Sequence, residues 1–200
     1  MSDATPFDPF APDADPSKPV NTRTEVNGQV TLVEYDPAWP EMFRREEERL
    51  RSALGERALL VEHVGSTAVP GLIAKPCIDI LLAVADAGDD TTYVPELQRA
   101  GYVLRISDED EDGDPHRIFK GQEINLNLHV WSAGSRHVAR HLEFRDWLRA
   151  NPDDRMRYAD AKRELAGRYW RHMQDYADAK NEVVQEITQR IREHATANDR

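Results

Sequence analysis

HVGSTAVPGLIAKPCIDILLAV, residues 63–84, decides the fold reading. Its end, continued to 85 as CIDILLAVA (77–85), is the most apolar window of the chain, is of strand length, and carries one acid, Asp79. An apolar run with no alternation fits a strand covered on both faces of a sheet. Residues 58–64 read as a second strand, and 65–76 as the turn-rich link between them. Such a turn can hold an anion. Gly65 permits close backbone approach, Ser66 offers a hydroxyl, and the turn through Thr67 presents backbone N–H groups that suit a phosphate. Lys75 adds a point charge. Asp79 is costly to bury unless it meets a cation or is hydrogen-bonded. Magnesium bridging that carboxylate to ligand phosphates would satisfy both conditions. The plainer alternative is a turn glycine followed by a capped Asp79 paired with Lys75.

Outward from this block, residues 29–35 (QVTLVEY) alternate and predict a strand. Asp36 and Pro37 then open a helix of about 18 residues on which Trp39, Met42, Phe43, Leu50, Ala53 and Leu54 recur. Residues 91–100 predict a helix stopped by Gly101, and 102–106 a strand. Residues 116–120 and 123–131 predict a hairpin across Gly121. The last third predicts three helices, from Ser135 to near 150, from Asn151-Pro152 onward, and over 175–194. Strands followed by helices define an α+β arrangement, a mixed β-sheet with flanking helices and a C-terminal helical region.

The chain has 200 residues, of which 40% are apolar, enough for one domain core. Mean hydropathy is -0.71. No run approaches the roughly 20 apolar residues of a membrane-spanning helix, and the first residues lack the basic and apolar regions of a secretory signal. A cytoplasmic protein is expected. A single cysteine, Cys77, excludes an intramolecular disulfide and any multi-cysteine metal site; it reads as a small buried hydrophobe. Residues 1–28 hold five of the 12 prolines and read as a disordered tail, leaving 29–192 as the single domain and 193–200 as a C-terminal tail. Net charge is -11, but residues 115–171 carry 12 Lys and Arg against 7 Asp and Glu, a local +5. Either helix faces are simply solvated, or an otherwise acidic protein has one anion-binding face.

Other side chains present paired readings. Glu123, Asn125, Asn127 and His129 alternate onto one face of their strand, facing a pocket with Asp79 or facing solvent. Arg145 and Arg149 stand four apart on a helix and, with Arg117 from the hairpin, suit phosphates. Alternatively Arg145 forms a salt bridge that ties helix to sheet. His137 and His141 are spaced for zinc but lack the glutamate of a zinc protease. Residues 108–114 (DEDEDGD) read as a solvated hairpin loop, since their spacing does not fit a calcium loop. Trp131, Trp147 and Trp170 read as core.

YDPAWP (35–40), residues 63–80, NLHVW (127–131), FRDWLRANP (144–152) and the pairs Tyr158/Lys162 and Tyr176/Lys180, in this order, resemble the GrpB-like family. That family has the nucleotidyltransferase-superfamily fold and also occurs fused to dephospho-coenzyme A kinase. The resemblance implies that Gly65 and Ser66 grip nucleotide phosphate and that Asp79 is the first metal carboxylate. The second carboxylate is expected two residues on, where this chain has Leu81. Glu123 is the candidate for the later-strand metal carboxylate. Lys75, Arg117 and Arg145 would neutralise phosphate, and His129 would orient or deprotonate an acceptor. The implied function is magnesium-dependent nucleotidyl or phosphoryl transfer to a small-molecule acceptor. The alternative, favoured by Leu81, is a catalytically inactive domain that binds a nucleotide or another phosphorylated small molecule. Nucleic acid and membrane are not expected partners.

Overall fold

The computed structural model describes residues 14–198. Five strands form one mixed sheet: β2 (Leu60–Val64), β3 (Ile78–Val84), β4 (Tyr102–Glu109), β5 (Pro115–Gly121) and β6 (Leu126–Ser132), in the order β2-β3-β6-β5-β4. β3 and β6 run parallel and all other neighbours are antiparallel. In β3 every residue is buried except Asp79, as its unbroken apolar run requires.

The alternation of side chains gives the sheet two different faces. Ile78, Ile80, Leu82, Phe119, Leu128 and Val130 pack beneath α1 (Trp39–Leu54) and the short α2 (Val94–Arg99). On the other face, Val64, Leu81 and Trp131 pack with Val138 and Leu142 of α3 (Arg136–Ala150). That helix covers only one end of the face. At the other end Asp79 and Asn127 stay uncovered by it, His129 lies beside His141 of the helix, and a cavity opens there.

α4 (Pro152–Ala166), α5 (Met173–Asp178) and α6 (Asn181–Asn198) complete the helical region. The helix expected over 175–194 is broken around residues 179–180, and its second part runs on to Asn198, into the segment expected as a tail. Among the described residues no helix is long and apolar enough to cross a membrane.

The N-terminal part departs most from the sequence reading. Residues 29–35 form no strand; Val33 makes one isolated bridge to Ala74, and the Val30 N–H donates to the Ala166 carbonyl. Their alternation is used to insert Val30 and Leu32 between helices. The strand lies earlier, as β1 (Glu25–Gly28), paired with β7 (Trp170–His172). Ala14 and Val26 are buried, while most other residues over 14–28 of the expected tail are exposed; residues 1–13 lie outside the described residues. Asn21 fixes this segment to β4, donating to the Ser107 carbonyl and accepting from the Ser107 N–H.

Residues 110–114 are likewise more than a solvated loop. One Asp110 oxygen accepts the N–H groups of Asp112 and Asp114, and the other accepts Arg136 and His137 at the start of α3. Ser135, the N-cap of that helix, donates to Asp114.

Candidate functional site

The β2–β3 connection brings backbone close to the acid of β3. Gly65 has φ +69, a region that favours glycine. A Cβ built there would lie 2.4 Å from Asp79 Oδ2, so only glycine lets the Ser66 turn sit against this carboxylate. In the register of the sheet Asp79 stands beside Asn127, and Leu81 beside His129. Asn127 Nδ2 donates to Asp79 Oδ1 at 2.6 Å, and Lys120 Nζ donates to Asn127 Oδ1 at 2.5 Å. The Asp79 side chain remains 28% exposed and lines the cavity. It is not locked in an ion pair with Lys75.

The cavity encloses about 540 Å³. Ser66, Thr67, Cys77 and Asp79 form its floor with Lys120, Asn127 and His129 from the sheet, while Lys162 and Lys180 come from the helical region. Asn21, Thr22, Arg23 and Thr24 form a further wall. Six cationic side chains line it (Arg23, Lys75, Arg105, Lys120, Lys162 and Lys180) against two acids, Asp79 and Asp108. The cavity lining is thus positive in a chain of net charge -11.

Lys162 is the least exposed of these cations after folding, at 2%. Its ammonium donates to Ser66 Oγ at 3.0 Å and to the Ile73 carbonyl, and stands over the Tyr158 ring. Burial, with the charge of Lys180 nearby, pushes its pKa down to about 7. Lys180 sits over the Tyr176 ring, and burial pushes its pKa down to about 8. Both lysines therefore hold their protons weakly and would hold them better beside an anion. Neither follows from reading the β3 block alone. The available signal was a lysine four residues after a tyrosine, twice, on helices whose neighbouring positions pack inward.

Several expected site residues lie elsewhere. Glu123 precedes β6 in a loop, is 66% exposed and pairs with Arg49 of α1, so it brings no carboxylate to Asp79. Asn125 also precedes the strand; it is buried and donates to the Pro76 carbonyl. Arg117 is bound by Asp90 and the Asp108 and His116 carbonyls and does not line the cavity. Arg145 takes the salt-bridge reading: it pairs with Glu62 at 2.6 Å, with Asp146 at 2.8 Å, and donates to the His63 carbonyl. Arg149 donates to the Ala68 carbonyl, holding α3 against the Ser66 turn. Leu81 is fully buried among Val64, Trp131 and Leu142; the place of a second carboxylate is an apolar packing position. His137 and His141 do not converge on one ion. His137 stacks on Trp131 and bonds Asp110, whereas His141 turns toward the cavity. His63, held neutral by burial with its pKa down to about 4, bonds Thr67, which donates to the Cys77 carbonyl. Thr67 thus braces the turn from behind. Cys77 is buried, as expected.

A cation-lined cavity over a mixed sheet, with one carboxylate and a glycine-serine turn at its floor, is the candidate site of this α+β fold. The chain belongs to the GrpB family: the family model described as "GrpB protein" matches residues 29–190. A UPF0157 protein of Halalkalibacterium halodurans is 58% identical over 82% of this chain and 83% of its own length. A dephospho-CoA kinase of Mycolicibacterium paratuberculosis is 34% identical over 74% of this chain, a match that spans 42% of that longer protein. The crystal structure of the conserved protein GrpB from Enterococcus faecalis superposes with a TM-score of 0.59 at 31% identity, covering 78% of this chain and 99% of that one.

Proposed function

We propose that this protein binds a nucleotide or another phosphorylated small molecule in the cavity above Asp79. The observation that carries the reading is the Ser66–Lys162 pair: a buried ammonium held at 3.0 Å from a serine hydroxyl at the cavity floor. Phosphate oxygens would take Lys162, Lys180 and Lys75 as charge partners, with Ser66 and the N–H groups of its turn as hydrogen-bond donors. Asp79 has no role as a phosphate ligand, since it would repel one; it is the group that would meet a cation accompanying the anion. Magnesium would meet a single protein carboxylate here, with its remaining positions left to ligand oxygens and water.

Binding without turnover is the better supported of the two expectations. Two-metal transfer needs several anionic ligands, and Leu81 and Glu123 supply none to this cavity. His129 faces the cavity beside Asp79, where it would orient a bound group.

Calorimetric titration with ATP, GTP, CTP and UTP, each with magnesium, tests the reading. At least one should bind, and Lys162→Met should weaken it about tenfold to a hundredfold, the worth of one hydrogen bond to a charged group. No binding by any of the four, or binding indifferent to Lys162→Met, contradicts it. Product formed at a rate that Asp79→Asn abolishes would restore the transfer reading.

A further inference from the structure

Open space lies on both sides of the Ser66 turn. Gly65, Ser66 and His141 line the cavity above Asp79, and the same three residues line a second cavity of about 1040 Å³ among α3, α4 and α6. The two cavities meet at the serine that the phosphate reading places under the anion. Tyr158 and Lys162, one turn apart on α4, span the junction. The lysine lines the first cavity and the tyrosine the second, with the ammonium 4.9 Å from the centre of the tyrosine ring. A phosphate held by Ser66 and Lys162 therefore has room on either side of it. The two spaces differ in chemistry. The first is ringed by cations. Phe144, Leu148, Val184 and Ile191 give the second an apolar lining, with the Tyr158 ring edge-on to Phe144 at 5.5 Å. Asn181 and Gln185 of α6 also line it, and among the described residues their side-chain amides bond no other group. Thr188 and Gln189 of the same helix are instead satisfied by the Val184 carbonyl and Glu193. Arg145 is committed to Glu62 and Asp146, and Arg140 and Arg192 are exposed. Aromatic and aliphatic faces with a few free amide edges suit a flat, uncharged ring that hydrogen-bonds along its rim, as a nucleobase does.

We propose that the ligand is a pyrophosphate carrying a nucleoside at each end. Its phosphates sit on Ser66 and Lys162, one nucleoside lies in the cavity above Asp79, and the other lies among α3, α4 and α6. The inference rests on the phosphate reading above and deepens it. A terminal phosphate at Ser66 would make no use of the second cavity, whereas a bridging one reaches into both. Charge separates the two ligand classes. Capping the terminal phosphate with a second nucleoside removes one negative charge, so a site made of cations alone would hold the doubly substituted compound more weakly. Tighter binding of that compound has to come from contacts made by its second nucleoside.

The test is calorimetric titration of the full chain, without magnesium, with pyrophosphate, ADP and diadenosine pyrophosphate. The expected result is that diadenosine pyrophosphate binds about tenfold more tightly than ADP, the worth of stacking one further base. Gln185→Trp, an exposed position that projects bulk into the second cavity, should remove that gain and leave pyrophosphate affinity unchanged. Should that variant fail to fold, Asn181→Ala, which removes only an exposed amide, replaces it and should reduce the gain. Diadenosine pyrophosphate that binds no more tightly than ADP overturns the inference and leaves the phosphate reading standing. A gain that survives these substitutions in full puts the second nucleoside elsewhere and overturns the inference too. Failure of pyrophosphate itself to bind overturns the phosphate reading, and this inference with it.

Discussion

Gly65 and Leu81 set what the cavity can hold. At Gly65 the backbone is in the left-handed region and the missing Cβ makes room for the Asp79 carboxylate. Gly65→Ala must therefore move either the turn or the acid. We expect about 1–3 kcal/mol of destabilisation from the backbone conformation, together with loss of ligand binding, measured by urea unfolding and calorimetry on the same samples. At Leu81 the obvious engineering idea is to restore a second carboxylate. Its neighbours are Val64, Trp131 and Leu142, with no cation among them and one donor, the buried Trp131 indole N–H, which has no partner among the described residues. Leu81→Asp should cost about 3–5 kcal/mol, the scale for an unpaired buried charge, and should yield no transferase. A folded, more active Leu81→Asp protein would show that this position still belongs to a catalytic set.

At the scale of elements, the β3 strand, the Gly-Ser turn and the helix after Asp36 were legible because each is specified locally, by an unbroken apolar run, a turn dipeptide and a helical period. The alternation at 29–35 misled because a period of two reports which side chains point inward, not whether a neighbouring strand exists to pair with. β1 was hidden for the converse reason: its partner β7 lies more than a hundred residues away, and four residues carry almost no pattern. The lysines of the cavity come from helices distant in sequence from β3, and only the tertiary fold brings Lys162 to Ser66. Glu123 failed because the strand begins at Leu126 and leaves it in the preceding loop. The segment before β1, tied to β4 through Asn21, gives a prediction at this scale. Asn21 has φ +64 and makes both side-chain bonds to Ser107. Asn21→Ala should speed amide hydrogen exchange in Glu25–Gly28 while leaving exchange in β3 and β6 unchanged, as local opening does. Equal acceleration in both regions would mean that this segment unfolds with the sheet.

Across the whole molecule, the acidic average conceals a basic interior surface. The +5 of residues 115–171 supplies Lys120 and Lys162 to the cavity, while Arg117, Arg145 and Arg149 are spent on internal bonds. Buried neutral histidines set the acid limit of stability. Burial lowers His63 and His116 to about 4 in the folded chain, from an ordinary value of 6.5. The unfolded chain then binds protons first, so stability should fall as pH drops from 6.5 toward 4. Asp110 is held below its usual value of 3.8, chiefly by its bond to His137, and extends the loss to lower pH. Urea midpoints measured across this range check the sign, and a flat profile between pH 6.5 and 4 would contradict it.

The weakly held protons of Lys162 and Lys180 give the most direct test of a phosphate in this cavity. At a pH between about 7 and 8 both ammonium groups are partly deprotonated, and a bound phosphate chain must raise their proton affinity. Calorimetry of pyrophosphate binding in two buffers of different ionisation enthalpy counts the protons exchanged. Net proton uptake that is reduced in Lys162→Met, with Lys180 left to supply the remainder, is the result expected; binding with no uptake, or with the same uptake in that variant, would place the anion somewhere other than on these lysines.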